Sequence, residues 1–210
     1  MFSFDKLLFK LLLLPVILLA LTVHEFAHGY VAYLRGDNTA KDMGRLTLNP
    51  LPHIDIIGLI FLMFFSFGWA KPVPINPANF KTPKKDEIMV ALAGVTANLF
   101  CALCFGLVIR FLDFNMFGQQ AEIIRSFVYW AVIINCGLAV FNLIPIPPLD
   151  GSHVLRELLP YNAAVKYIVF FSNPMISWVL LGIFILMPGL ITPLIIGPVF
   201  FLVRIFAGVA

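Results

Sequence analysis

Uninterrupted apolar runs, rather than alternating apolar and polar positions, organise this chain. A membrane-spanning helix needs about 20 predominantly apolar residues. The runs over residues 7–34, 88–112 and 123–141 meet that length. Residues 165–206 are long enough for two spans, 165–187 and 189–206, with Met187-Pro188-Gly189 as the divider. The run Ile54–Ala70 is shorter, about 17 residues between Pro52 and Pro72, at the low end of the spanning range. Gly44-Arg45-Leu46-Thr47-Leu48-Asn49-Pro50 alternates apolar and polar side chains, which predicts a short strand or β-hairpin ending in an Asn-Pro turn. Lys71–Asp86 holds four prolines together with Lys71, Lys81, Lys84 and Lys85, and predicts an extended basic loop. Pro145, Pro147 and Pro148 force a helix break between Asn142 and Gly151. With no repeat, low-complexity tail or soluble domain, residues 1–210 read as one all-α polytopic membrane domain of about five transmembrane helices.

Composition sharpens this class. Of 210 residues, 61% are hydrophobic and 12% charged, about half the charge of a soluble domain. So little polar surface cannot cover a water-soluble globule, so the lipid bilayer must accept the apolar surface. The net charge of +3 is scattered over short loops and forms no stripe that would bind nucleic acid. Cys101, Cys104 and Cys136 all lie in apolar runs; as small hydrophobic residues they fit better there than the first two do as a redox CxxC pair. The first run continues into His24 and Glu25 without a small-residue cleavage site, unlike a removable signal peptide.

Candidate chemistry begins at His24-Glu25-Phe26-Ala27-His28, an H-E-x-x-H pattern on a predicted helix. Side chains four apart lie one turn above each other, so both imidazoles project from one face and can grip one Zn²⁺. Glu25 sits beside them, where it can accept a proton from water. Ionisable groups at membrane depth cost several kcal/mol and are kept mainly where they act. The bland alternative is that the three mark a helix end at the interface. A catalytic zinc takes three protein ligands, and Asp150 is the best third candidate, since the preceding prolines free backbone that at membrane depth needs a protein-buried or water-filled site. The bland alternative is that Asp150 caps the next helix.

These motifs together resemble the site-2 protease family of intramembrane metalloproteases. The resemblance rests on His24-Glu25-x-x-His28 late in a membrane helix and on Asn142-x-x-Pro145-x-Pro147-x-Leu149-Asp150-Gly151 far downstream. Gly94-x-x-x-Asn98 matches a third family motif, with Val95 where a proline is usual. The segment Gly44–Asp55 and Phe67-Gly68-Trp69-Ala70-Lys71-Pro72-Val73-Pro74 are similar to a compact bacterial branch lacking a PDZ domain. The resemblance implies one zinc per chain held by His24, His28 and Asp150. It also implies Glu25 as general base for peptide hydrolysis and substrates that are membrane proteins with transmembrane segments. Asn98 or Asn142 could support the oxyanion or substrate, or could simply pack helices or form a turn. His53 and His153 are left out of the ligand shell.

Topology cross-checks this assignment. His24, His28 and Asp150 meet at one depth only if Ile54–Ala70 re-enters rather than crosses. Arg35, Lys41 and Arg45 then share a face with the four loop lysines, Arg156 and Lys166, while the opposite loop, Asp113–Glu122, has no Lys or Arg. That is the positive-inside pattern of a multi-pass cell-membrane protein with its site toward the cytoplasm; Lys6 and Lys10 dissent. The competing class is a transporter or channel whose His/Glu/Asp cluster handles protons or metal ions, though matched halves with broken helices are missing.

Overall fold

The protein is described here by a computed structural model covering residues 4–65, 68–186, 189 and 192–208. Nearly all of its regular structure is helical: α1 (Phe4–Leu34), α2 (Thr39–Asp42), α3 (Ile56–Phe65), α4 (Pro83–Phe111), α5 (Ala121–Asn142), α6 (Asp150–Leu158), α7 (Tyr161–Phe170), α8 (Pro174–Leu186) and α9 (Gly197–Ala207). Among the described residues three helices are long and apolar enough to cross a membrane, and four if the pair α7 and α8 counts as one bent span.

α4 begins five residues before the predicted run because hydropathy registers only the apolar part of a helix. Pro83 occupies the first turn, where its missing N–H costs nothing, and the Asp86 carboxylate reaches back to the Thr82 N–H at 2.7 Å. In the C-terminal third the structure adds a break inside the predicted 165–187 span. The chain turns at residues 171–173, and the axes of α7 and α8 differ by 82°. Pro174 disfavours helical geometry at Asn173, so the break falls there. Met187 and Pro188, the expected divider, lie outside the described residues.

The predicted strand is also corrected. Residues 44–50 form turns, and among the described residues the one β-bridge joins Ile54 to Ala70. Thr47 Oγ1 accepts from the Asn49 N–H and Asn49 Oδ1 from the Leu51 N–H, each at 3.1 Å. Such local side-chain bonds draw the backbone away from a ladder.

α1 and α4 run antiparallel. His24 meets Asn98, His28 meets Val90, and Arg35 meets Asp86 at 2.6 Å. α5 returns beside α4, with Asn98 against Asn135. α9 packs across α4 and α5 through Val199, Val203 and Ala207, and a Cβ at Gly106 would sit 2.6 Å from the Phe206 backbone. The end of α1 thus lies beside the start of α4. The 54–70 segment correspondingly closes on itself, with the Ile54–Ala70 bridge and Lys71 N–H donating to His53 O at 2.9 Å. Its helix α3 has 10 residues, about 15 Å at 1.5 Å per residue. Lys10 Nζ donates to Met63 O at 2.7 Å and so caps the carbonyl end of α3. That contact explains a cation the loop-charge pattern left over.

Candidate metal centre

Three side chains converge where α1, α4 and the start of α6 meet. His24 and His28 are buried, at 5% and 7% exposure. Their Nε2 atoms lie 3.0 Å apart, and Asp150 Oδ2 lies 3.2 and 3.3 Å from them. Hydrogen bonding determines which nitrogens face the centre as lone pairs. His28 Nδ1 lies 2.7 Å from Val90 O, a pure acceptor, so Nδ1 carries the proton. Asn98 Nδ2 donates to Ala20 O at 3.1 Å and to Asn135 Oδ1 at 2.9 Å. Its Oδ1 therefore faces His24 Nδ1, 2.6 Å away, which must also be protonated.

Both Nε2 atoms thus present lone pairs to one another and to a carboxylate oxygen. Asp150 Oδ2 is itself buried with no hydrogen-bond partner. Three converging lone pairs repel unless a cation lies among them. Ligands about 2.0–2.1 Å from a tetrahedral zinc stand about 3.3 Å apart, which these separations match. The donor set, two imidazoles and one carboxylate, is one that zinc accepts while keeping a position open.

Local sequence builds each arm. Gly94 on α4 faces the imidazoles; an added Cβ would lie 2.5 Å from His28 Nε2 and 2.6 Å from His24 Cε1. Gly151 permits the turn after α5, where a Cβ would strike the Leu143 carbonyl. Asp150 is the first residue of α6 and caps nothing, with Leu149 in the cap position, so the capping alternative drops away. α6 is docked on α4 by Glu87, which pairs with Arg156 and, at 3.1 Å, with His153 Nδ1. That pairing gives His153 a place outside the cluster. His53 is buried and its Nε2 lies 2.9 Å from Thr47 O, also apart from the cluster.

Glu25 is half-buried, and its Oε2 accepts the Val73 N–H at 2.8 Å. This contact fastens the extended 71–76 segment across the site and leaves the second oxygen to take a proton. Both amide protons of Asn98 are spent, so Asn98 orients His24 and has none for an oxyanion. Asn142 donates to Leu138 O at 3.1 Å and borders the cavity, keeping one amide proton for a substrate. His24, Glu25, His28, Asn142 and Asp150 all line one cavity of about 650 Å³.

Sequence reasoning missed Val73, Val90 and Asn135, and for the two backbone groups no sequence signal exists. It also missed Asp37, which is fully buried and holds the far end of the 71–80 segment. Asp37 accepts from Asn76 N–H at 2.7 Å, Asn79 Nδ2 at 2.8 Å and the Thr39 hydroxyl at 2.5 Å. Burial alone would raise its pKa, but the hydrogen bonds from Thr39, Asn76 and Asn79 outweigh it and hold the carboxyl below its ordinary 3.8. A depressed pKa contributes stability that is full above the unfolded value and lost as pH falls through the folded one. Amide protection at Asn76 should therefore be constant from neutral pH to about 5 and collapse in acid below the ordinary carboxylate range. Asp37→Asn should cut it about tenfold or more at neutral pH, since hydrogen bonds to a charged group contribute about 1.5–3 kcal/mol. Hydrogen exchange read by mass spectrometry checks both; unchanged protection in Asp37→Asn would remove Asp37 as the clamp.

A model of peptidase family M50 matches residues 113–187. The chain is 37% identical over 191 residues to YwhC of Bacillus subtilis, which carries a provisional zinc-metalloprotease name; the match spans 82% of this chain and 87% of that protein. It is 30% identical over 148 residues to Rip2 of Mycolicibacterium smegmatis, with the same provisional description, across 68% of this chain and 55% of Rip2. It is 29% identical over 156 residues to the zinc metalloprotease MJ0392 of Methanocaldococcus jannaschii, across 74% of this chain and 35% of that protein. No solved structure gives a significant match.

Proposed function

The chain belongs to peptidase family M50, a family of zinc metalloproteases, and from that premise we propose that it is an intramembrane endopeptidase cutting the transmembrane segments of membrane proteins or the residues beside them. The observation that carries this reading is the convergence of three lone pairs, on His24, His28 and Asp150, beside a carboxylate on the same helix turn. In this reading His24, His28 and Asp150 hold one zinc per chain. Zinc, when bound, supplies a Lewis acid that acidifies water and polarises the scissile carbonyl. Glu25 takes the proton of the attacking water and returns it to the leaving nitrogen. Val73 N–H holds one Glu25 oxygen in place, so the other keeps a constant position. Asn142, with a free amide proton at the cavity wall, steadies the substrate carbonyl.

Residues 1–210 act as a single multi-pass membrane domain in this reading, with Ile54–Ala70 re-entrant and the site toward the cytoplasmic face. Support for the re-entrance is the closure of Ile54 on Ala70 and an α3 half as long as the hydrocarbon core is thick. Support for the orientation is the cluster of Arg35, Lys41, Arg45 and the lysines of the 71–85 segment at the α1–α4 junction.

Reconstitution in liposomes with single-span reporter proteins tests the reading. The expected result is a cut mapping by mass spectrometry within the reporter's membrane segment or a few residues outside it, abolished by a chelator and restored by zinc. Cutting confined to soluble peptides would overturn the intramembrane assignment.

A further inference from the structure

A second cavity, of about 410 Å³, lies beside the metal-centre cavity and shares its walls at Leu21, Asp55, Trp69, Leu138 and Phe141. Its own lining is almost wholly apolar, from Ile17, Leu18 and Leu21 of α1, Leu59 of α3, and Ile134 and Leu138 of α5. Thr22 is there too, but its hydroxyl is spent on Leu18 O at 2.6 Å. Pockets of about 300–1,000 Å³ hold small ligands, and about 150 Å³ already holds a benzene ring. The volume therefore suits one or two large side chains.

Position identifies what fills it. The α1 lining, residues 17–22, precedes His24 by two to seven residues. At 1.5 Å per residue that is about 3–10 Å along the helix axis, away from the Leu34 end of α1 and the basic residues Arg35, Lys41 and Arg45 that follow it. An extended peptide advances about 3.3 Å per residue, so residues one to three from the cleaved bond reach this depth. A second, independent observation concerns His53. Its Nε2–H is committed to Thr47 O, so Nδ1 is a bare acceptor, buried in this wall without a partner. A substrate helix must unwind to expose a peptide bond, and its freed N–H groups need acceptors at membrane depth.

We propose that this cavity receives the large apolar side chains of the substrate one to three residues from the cleaved bond, on the bilayer-core side, with Gly137 setting its depth. The proposal rests on the protease reading above. Gly137 lines the cavity from α5, and a Cβ added there meets no atom within 4 Å, so side chains built at this position grow into the open volume.

Wild type, Gly137→Leu and Ile134→Ala in liposomes test it. The reporters are single-span proteins carrying Ala, Leu, Phe or Trp at each of the three positions on the core side, with Glu25→Gln as the blank. Wild type should cut the best Leu or Phe reporter about three- to tenfold faster than its Ala counterpart; the side chain comes from lipid, so only its close packing in the cavity, and no transfer out of water, contributes. Gly137→Leu should bring that ratio close to one. Ile134→Ala should shift preference toward Trp, and carries the test if Gly137→Leu yields protein without zinc. Equal ratios in wild type and Gly137→Leu, or no gain for Trp in Ile134→Ala, overturn the pocket while leaving the protease reading intact. A wild type that cuts none of the reporters overturns both.

Discussion

Glu25→Gln is expected to lower the cleavage rate about 10²- to 10⁴-fold while leaving one zinc per chain. The size follows from what general acid–base groups contribute, about 3–5 kcal/mol of barrier at 1.36 kcal/mol per tenfold. Selectivity for chemistry over structure follows from the geometry. The Gln carbonyl still accepts the Val73 N–H that Glu25 Oε2 accepts at 2.8 Å, so the 71–76 segment stays across the site. The converging atoms on His24, His28 and Asp150 are untouched. Only the basic oxygen is lost. Measuring zinc by elemental analysis on the same preparation used for cleavage checks both halves; a rate within threefold of wild type would remove Glu25 from the proton-transfer role.

The same substitution separates an endopeptidase from a transporter with a similar cluster. A transporter would move protons or metal ions across liposomes and lose that flux in Glu25→Gln. The protein's own geometry favours the enzyme. Glu25, His24, His28 and Asp150 line one cavity of about 650 Å³, which lies beside an apolar one of about 410 Å³ and shares walls with it. That shape suits an unwound peptide with its side chains better than a file of ions.

What the sequence revealed was whatever depends on spacing along one element. His24, Glu25 and His28 fall on one helix face whatever packs against them, and prolines 145, 147 and 148 break a helix in any fold. The three long runs became α1, α4 and α5 within a few residues at most ends because their length follows from bilayer thickness. The strand over 44–50 was misread because alternation can arise from consecutive Asx and Thr turns as well as from a sheet. The 82° bend at Asn173-Pro174, inside the predicted 165–187 span, was not foreseen, because a single proline within an apolar run carries a weaker turn signal than Pro next to Gly. Asn98 was singled out because Gly94-x-x-x-Asn98 resembles a family motif, yet its role required knowing that Ala20 O and Asn135 occupy its donors. Lys10 looked like a topological exception until the exposed carbonyl end of α3 was seen beside it. Partners supplied by a distant backbone carry no residue-level signal.

Gly94→Ala is expected to reverse the usual sign of a glycine-to-alanine change in a helix. In an exposed helix interior that substitution stabilises by about 0.5–1 kcal/mol, because it restricts the unfolded chain and adds no strain. At Gly94 the new methyl would lie 2.5 Å from His28 Nε2, 2.6 Å from His24 Cε1 and 2.7 Å from His24 Nδ1. Neither ring can retreat cheaply. His24 is tied to Asn98 at 2.6 Å and His28 to Val90 O at 2.7 Å, and both are buried. Either α4 moves away from α1 or the imidazoles rotate off their common focus. Disturbing only the groups that orient metal ligands costs about 10–100-fold in affinity, so displacing two ligands at once should weaken zinc binding more than a hundredfold and bring cleavage to background. Gly182→Ala on α8 is the matched control, since a Cβ there meets nothing within 4 Å; it should keep full zinc and activity. Zinc titration of the two variants against wild type decides the matter. Wild-type affinity in Gly94→Ala would mean that the close approach of α4 to the two histidines is not what shapes the centre.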